Sequence, residues 1–106
     1  MEIFKLEKFV KGWVVGDFEP SLIQTKDFEV AVKDYDAGTN ESAHVHRVAR
    51  EITIVTSGKY KMNEKVLEKG DIVCLLPGES AKFSCLESGT TVCIKTPSVK
   101  GDKYPV

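Results

Sequence analysis

This chain is sparing with the residues that usually announce a function: two histidines, three cysteines and one tryptophan among 106 residues. Its acids and bases nearly cancel, 16 against 15, and they are interspersed. There is therefore no basic face for a phosphate backbone and no polybasic segment for anionic lipid, so neither nucleic acid nor membrane is expected as a partner. The opening stretch MEIFKLEKFVKGW alternates charged and apolar residues. Without an apolar run of about seven residues it reads as neither a secretory leader nor a membrane span, and a cytosolic protein is expected.

Cysteine is scarce in a way that excludes a disulfide framework. Cys74, Cys85 and Cys93 are odd in number, and no two stand in Cys-x-x-Cys spacing, so zinc knuckles and redox pairs are also excluded. Their expected role is that of buried thiols acting as small hydrophobes. Helical stripes are missing too. No run of ten or more residues repeats its apolar positions with a helical period, although SAHVHRVAR approaches one.

Period two is present almost throughout, with β-branched and aromatic residues in short runs separated by Gly, Asn or Asp. FEVAVKDY alternates Phe28, Val30 and Val32 with Glu29, Ala31 and Lys33. REITIVTS sets Ile52 and Ile54 against Glu51, Thr53 and Val55. KVLEKGDIVCLLPG reads as two strands joined by a tight turn at Lys69-Gly70-Asp71, and AKFSCLESGTTVCIKTP as two more joined at Ser88-Gly89. An all-β domain follows, a small antiparallel barrel or jelly roll spanning residues 1–106. Its N-terminal strands are expected within residues 1–27, its barrel core over about 28–96 and a C-terminal tail over 97–106.

The strand from Arg50 to Ser57 has apolar residues on one face and a mixture of polar and apolar residues on the other. A half-solvated strand would not need both. One face is expected to line a cavity, while Ile52 and Ile54 pack on a second layer or on a partner subunit. A homodimer is the expected assembly.

The two histidines fall together in GTNESAHVHRVAREITIVTSG. At i and i+2 of a strand, His44 and His46 project from one face with α-carbons about 6.6 Å apart. Both rings then reach one ion at roughly 2.0–2.1 Å. The four residues between His46 and Glu51 suffice for a turn that returns Glu51 beside the pair. His44, His46 and Glu51 are thus the candidate metal ligands, a set suited to divalent Fe, Mn, Ni or Zn with open positions for a small molecule.

The same stretch resembles the first motif of the cupins, with Gly38, His44, His46, Glu51 and Gly58 at that motif's spacing. GDIVCLLPGESAKF resembles the second motif at Gly70, Asp71, the strand Ile72 to Leu75, Pro77 and Gly78. It departs at Leu76, where a proline often falls, and at Ala81, where the last metal-binding histidine would stand. The resemblance implies a double-stranded β-helix, commonly dimeric, around a metal site normally built from three histidines and a glutamate. It extends to dioxygenases, isomerases and decarboxylases, so it narrows the cofactor better than the reaction.

Three readings of function follow. One is a metal-dependent enzyme acting on a small molecule. Another is a non-catalytic cupin that binds a sugar or organic acid. The last, a sugar-nucleotide epimerase, needs a histidine base, and both histidines are already committed to the motif. Ligand contact is expected from Trp13, Thr53, Ala81 and Phe83, with Phe18 beside Trp13 at the cavity mouth. Arg47 and Arg50 flank the site and would suit steering of an anion, although turn residues of this kind are commonly solvated. Tyr35, Tyr60 and Tyr104 are available as proton donors, with nothing in the sequence to place them in the cavity. Cys85, two positions beyond Phe83, lies too far along its strand to replace the missing histidine.

Overall fold

In the computed structural model, which describes residues 1–106, the period-two segments become strands. In chain order these are β1 (Trp13–Gly16), β2 (Ile23–Gln24), β3 (Glu29–Tyr35), β4 (Asn40–Val45), β5 (Arg50–Val55), β6 (Lys59–Met62), β7 (Lys65–Leu67), β8 (Ile72–Leu75), β9 (Ser80–Glu87), β10 (Gly89–Thr96) and β11 (Tyr104–Pro105). The only helical pieces are 3₁₀ turns at Leu6–Lys8 and Val10–Gly12. No helix is long and apolar enough to cross a membrane.

The strands form two sheets, a large one ordered β2-β1-β3-β10-β5-β8 and a small one ordered β11-β4-β9-β6-β7. Pairing is antiparallel apart from the short β1–β2 contact, which is parallel. The joined pairs read from the sequence are joined but not paired. β7 and β9 lie in the small sheet, whereas β8 and β10 lie in the large one, so the links at Gly70 and at Ser88-Gly89 carry the chain from one sheet to the other. That crossing closes the barrel wall. At one end the turn after β5 meets the turn before β10 so closely that a Cβ on Gly89 would lie 2.2 Å from the Ser57 carbonyl oxygen; no residue but glycine fits there.

Register decides what faces inward. On β10, Val92 and Ile94 stand opposite Val32 and Val30 of β3 and opposite Ile54 and Ile52 of β5. Side chains alternate, so Thr91, Cys93 and Lys95 point the other way, with Ala31, Lys33, Glu51 and Thr53. This second set is the interior one: Ala31, Thr53, Thr91 and Cys93 are all buried. The polar face of the large sheet therefore lines the barrel, and its apolar face is the outer surface. Ile52 and Ile54 lie on that outer face, half-buried, and the N-terminal turns approach the same sheet at Val32. Cys74, expected to be buried, is exposed there beside Ile72, because alternation on β8 turns Val73 and Leu75 inward instead.

The apolar core fills one end of the barrel, built from Val55, Tyr60, Met62, Leu67, Leu75, Ala81, Phe83 and Cys85. Tyr60 and Phe83 stack with centroids 5.2 Å apart, and Tyr35 packs at 5.7 Å and 5.2 Å from them. Aromatic packing of this kind adds roughly 0.5–1.5 kcal/mol per pair beyond area burial. The other end contains polar side chains, and the candidate site is there.

Candidate metal centre

His44 lies within β4 and His46 one residue past its end, on the same inward face. Residues 47–49 turn the chain over, and Glu51 enters from β5 on the opposite sheet. Donor atoms of the three residues all lie within 4.8 Å of one another. The imidazole centroids are 5.1 Å apart at 70°, and His46 Nε2 is 2.8 Å from Glu51 Oε2. Two neighbouring donors on one ion, each at about 2.0–2.2 Å, are separated by about 3 Å. Here the His46 Nε2–H donates to the Glu51 carboxylate, and the same two atoms are near enough to serve as ligands of one ion.

The second nitrogen of each ring is already engaged. His46 Nδ1 donates to the Asp102 carbonyl, and His44 Nδ1 to the Ser42 carbonyl at 3.3 Å. Those bonds keep a proton on Nδ1, so Nε2 is the nitrogen that an ion would take; on His46 it would first give up the proton that it donates to Glu51. The donor set, two imidazole nitrogens and a carboxylate oxygen, fits a divalent transition metal. Glu51 is fixed on both sides, since Cys93 Sγ donates to its Oε1 at 3.3 Å.

Electrostatics favour an ionised carboxylate. Burial works to raise the Glu51 pKa, but the His46 hydrogen bond, with the charge of Lys95, outweighs it and holds the group down to about 2. His46 is raised, chiefly by its bond to Glu51, whereas burial lowers His44. Burial also raises Cys93, helped by the neighbouring Glu51 charge, so the thiol stays protonated and acts as a donor.

The tail contributes the residue that organises this corner. Asp102 is buried, and its carboxylate accepts from the backbone N–H groups of Arg47 at 2.9 Å, Val48 at 3.1 Å and Ala49 at 2.8 Å. Its own carbonyl orients His46. These bonds pull the Asp102 pKa down against the opposing effect of burial. β11 then pairs with β4, Pro105 opposite His44, so the tail is part of the site's wall.

The cavity beside the histidines is small, about 40 Å³, with Glu51, Thr53, Thr91 and Cys93 on one wall and His44, Ala81 and Phe83 on the other. It has room for roughly three waters. A wider mouth of about 330 Å³ shares Trp13, Lys33, Lys95 and Lys103 with it. Trp13 therefore borders both spaces, with Phe18 edge-on to it at 6.3 Å. Ala81 stands opposite His44 in register, so a methyl group occupies the place from which a further histidine would point. A larger open groove, about 830 Å³, runs between the N-terminal turns and β3 and contains none of these ligands.

Other candidates separate. Arg47 stacks on Tyr104 with its guanidinium carbon 3.9 Å from the ring centroid, and Arg50 is exposed on the outer face; neither lines the cavity. Tyr60 is buried in the core. Tyr35 does border the cavity, and its hydroxyl donates to Glu41 at 2.8 Å; burial, then that carboxylate, raises its pKa. Cys93, Asp102 and the three lysines were not anticipated. Strand alternation on β3 and β10 contains the signal for Lys33, Cys93 and Lys95, whereas nothing local marks Asp102 or Lys103.

No protein family's sequence profile matches the chain, and no curated protein matches it. Solved structures do match. An RmlC-like cupin from Shewanella frigidimarina is 22% identical over 73% of this chain and 71% of its own, with a TM-score of 0.66. A conserved protein with a double-stranded β-helix domain from Klebsiella pneumoniae is 24% identical over 93% and 87%, with a TM-score of 0.69. Oxalate decarboxylase from Bacillus subtilis, a protein with Mn(II) centres, is 12% identical over 77% of this chain but 24% of its own, with a TM-score of 0.68. With two facing sheets closed by links that cross between them, and with these neighbours, the chain has the cupin fold in its small, single-barrel form.

Proposed function

We propose that this protein is a metal-dependent cupin acting on a small molecule, with a divalent ion held by His44, His46 and Glu51. The observation that carries the proposal is the convergence of three donor atoms within 4.8 Å, with both Nδ1 positions tied to carbonyls. Bound there, a divalent ion supplies Lewis acidity toward a ligand oxygen, and Fe or Mn would also extend the chemistry to redox steps. The chain's own residues do the rest. Cys93 holds the carboxylate, the Asp102 carbonyl holds the His46 ring and its carboxylate the turn, and Tyr35 places a protonated hydroxyl at the cavity wall.

Dioxygenase and isomerase chemistry both suit this arrangement. The alternative, a binding cupin for a sugar or organic acid, is favoured by the same 40 Å³ cavity, which leaves little space for a reacting pair. Incubating Fe(II)- or Mn(II)-loaded protein in air with a panel of sugars and short organic acids separates the two. Conversion that disappears in His46→Ala supports the enzyme; recovery of intact ligand, with no conversion by any metal form, supports the binding protein. The three free cysteines suit a reducing cytosol.

We also propose that a second copy covers the outer face of the large sheet. Its central rows, Val30 and Val32, Ile94 and Val92, Ile52 and Ile54, are apolar. Asp34 and Arg50 stand at diagonally opposite corners, opposite Thr90 and Thr96 at the two ends of β10. A two-fold axis lying in the face and crossing β10 brings Arg50 of each copy toward Asp34 of the other, so the face complements itself.

A further inference from the structure

We propose that the mouth of the cavity is an anion site and that its ligand is a short organic carboxylate. The inference deepens the reading of this cavity as a ligand site, but it needs no metal. Lys33, Lys95 and Lys103 border both the inner cavity and the mouth. They reach it from β3, β10 and the tail, so the fold gathers them from three separate segments.

Their charges are not matched within the chain. Lys95 pairs with Glu29 at 3.6 Å, but neither Lys33 nor Lys103 has a carboxylate within ion-pair distance. Most acids around them are engaged: Glu29 accepts from Ser98 at 2.8 Å, Glu41 from Tyr35, Glu51 from His46 and Cys93, and Asp102 from three backbone N–H groups. Asp17 borders the mouth without a side-chain partner, but so do Lys11 and Lys100, which keeps lysines in excess of carboxylates there. Lys33 Nζ and Lys95 Nζ also lie 5.0 Å and 4.9 Å from the centroid of the single Trp13 ring. Holding two ammonium groups on one aromatic ring is unfavourable unless their repulsion is relieved. The negative face of the indole relieves part of it, and a bound anion relieves the rest.

Size selects the anion. The inner cavity of about 40 Å³, lined by Glu41 and Glu51 as well as by the three lysines, admits a carboxylate and little more. The remainder of a ligand must lie in the mouth, against Trp13 and the lysines. A compact two-headed acid satisfies both spaces, with one carboxylate inward and one among the ammonium groups. Phosphate recognition ordinarily draws on arginine forks or an array of backbone N–H groups; Arg47 and Arg50 are directed elsewhere, and the N–H array at 47–49 is taken by Asp102.

The test is calorimetric titration of chelator-treated, metal-free protein and of Mn(II)-loaded protein with malonate, with neutral malonamide, and with inorganic phosphate. Malonate should bind both forms, at least tenfold tighter than malonamide or phosphate, and its affinity should fall as salt is raised. Lys103→Gln, at an exposed position, should weaken malonate at least fivefold, and Lys33→Gln at least tenfold, with circular dichroism unchanged. The proposal is overturned if malonate fails to bind folded protein, if malonamide or phosphate binds equally well, or if Lys103→Gln leaves malonate affinity intact. Failure of Mn(II) to bind while metal-free protein still takes malonate would sink the metal reading and leave this one standing.

Discussion

Asp102 and His46 lie 56 residues apart in sequence and are joined by the hydrogen bond from His46 Nδ1 to the Asp102 carbonyl. Through one residue the tail thus sets the tautomer of a candidate ligand, while its carboxylate binds the turn that leads to Glu51. Asp102→Ala removes the shared acceptor of three backbone N–H groups. The expected cost is on the order of 2–3 kcal/mol, read by urea denaturation. Metal affinity should fall about 10-fold to 100-fold, as for loss of other groups that orient a ligand. The main-chain carbonyl that orients His46 is retained in this variant, so unchanged affinity in the folded protein would show that the carboxylate's hold on residues 47–49 does not position the ligands.

Restoring the missing ligand is the complementary experiment. Ala81 faces His44 across the β4–β9 pairing, so the imidazole of Ala81→His enters beside the existing pair. Four ligands should raise Mn(II) or Zn(II) affinity at least about tenfold, or about 1.4 kcal/mol. Competition against a fluorescent chelator measures it. Equal affinity would mean that the donor atoms do not converge on one ion.

The stability of metal-free protein should follow the His46–Glu51 pair. Glu51 is depressed to about 2 from 4.5, so its contribution is complete above its unfolded pKa and is lost as pH falls from about 5 toward 2. His46 is raised above 6.5, so its contribution is complete below 6.5 and is lost as pH rises through the higher folded value. His44 is lowered and acts in the opposite sense, losing stability as pH falls below 6.5. Denaturation midpoints across pH 3 to 8 should therefore be much flatter in Glu51→Gln on the acid side. An acid limb as steep as that of the wild type would place the depressed carboxylate elsewhere.

The pairing of Asp34 with Arg50 across a two-fold axis makes the dimer testable by charge exchange. Sedimentation at micromolar concentration should give a dimer for the wild type and a monomer for Ile54→Lys. Arg50→Asp alone should weaken association, and adding Asp34→Arg should restore it. If the double variant dissociates as readily as the single one, this orientation is wrong.

Much of the architecture was legible because one physical signal, period two, runs through nearly every strand. His44, His46 and Glu51 were legible for a related reason: strand alternation puts i and i+2 on one face, and a four-residue link fixes where Glu51 returns. The pattern did not reveal which sheet each strand joins. A turn at Gly70 looks the same locally whether its strands pair or part, and only the closure of two sheets decides. The orientation of β3 was ambiguous for a similar reason. Val30 and Val32 look like core, yet register places Lys33 inside, because the interior at that end is a polar cavity. Asp102 and Lys103 act through contacts dozens of residues away, and their neighbours in sequence, a turn-rich tail, resemble any solvated end.

The most direct test of the central claim is elemental analysis of untagged protein, after dialysis against Mn(II), Fe(II), Ni(II) and Zn(II) in turn, for wild type and His44→Ala. A stoichiometry near one ion per chain for at least one metal in the wild type, lost in the variant, is the predicted result. Wild-type protein that retains no ion of any of the four, or His44→Ala that retains as much as the wild type, would contradict it.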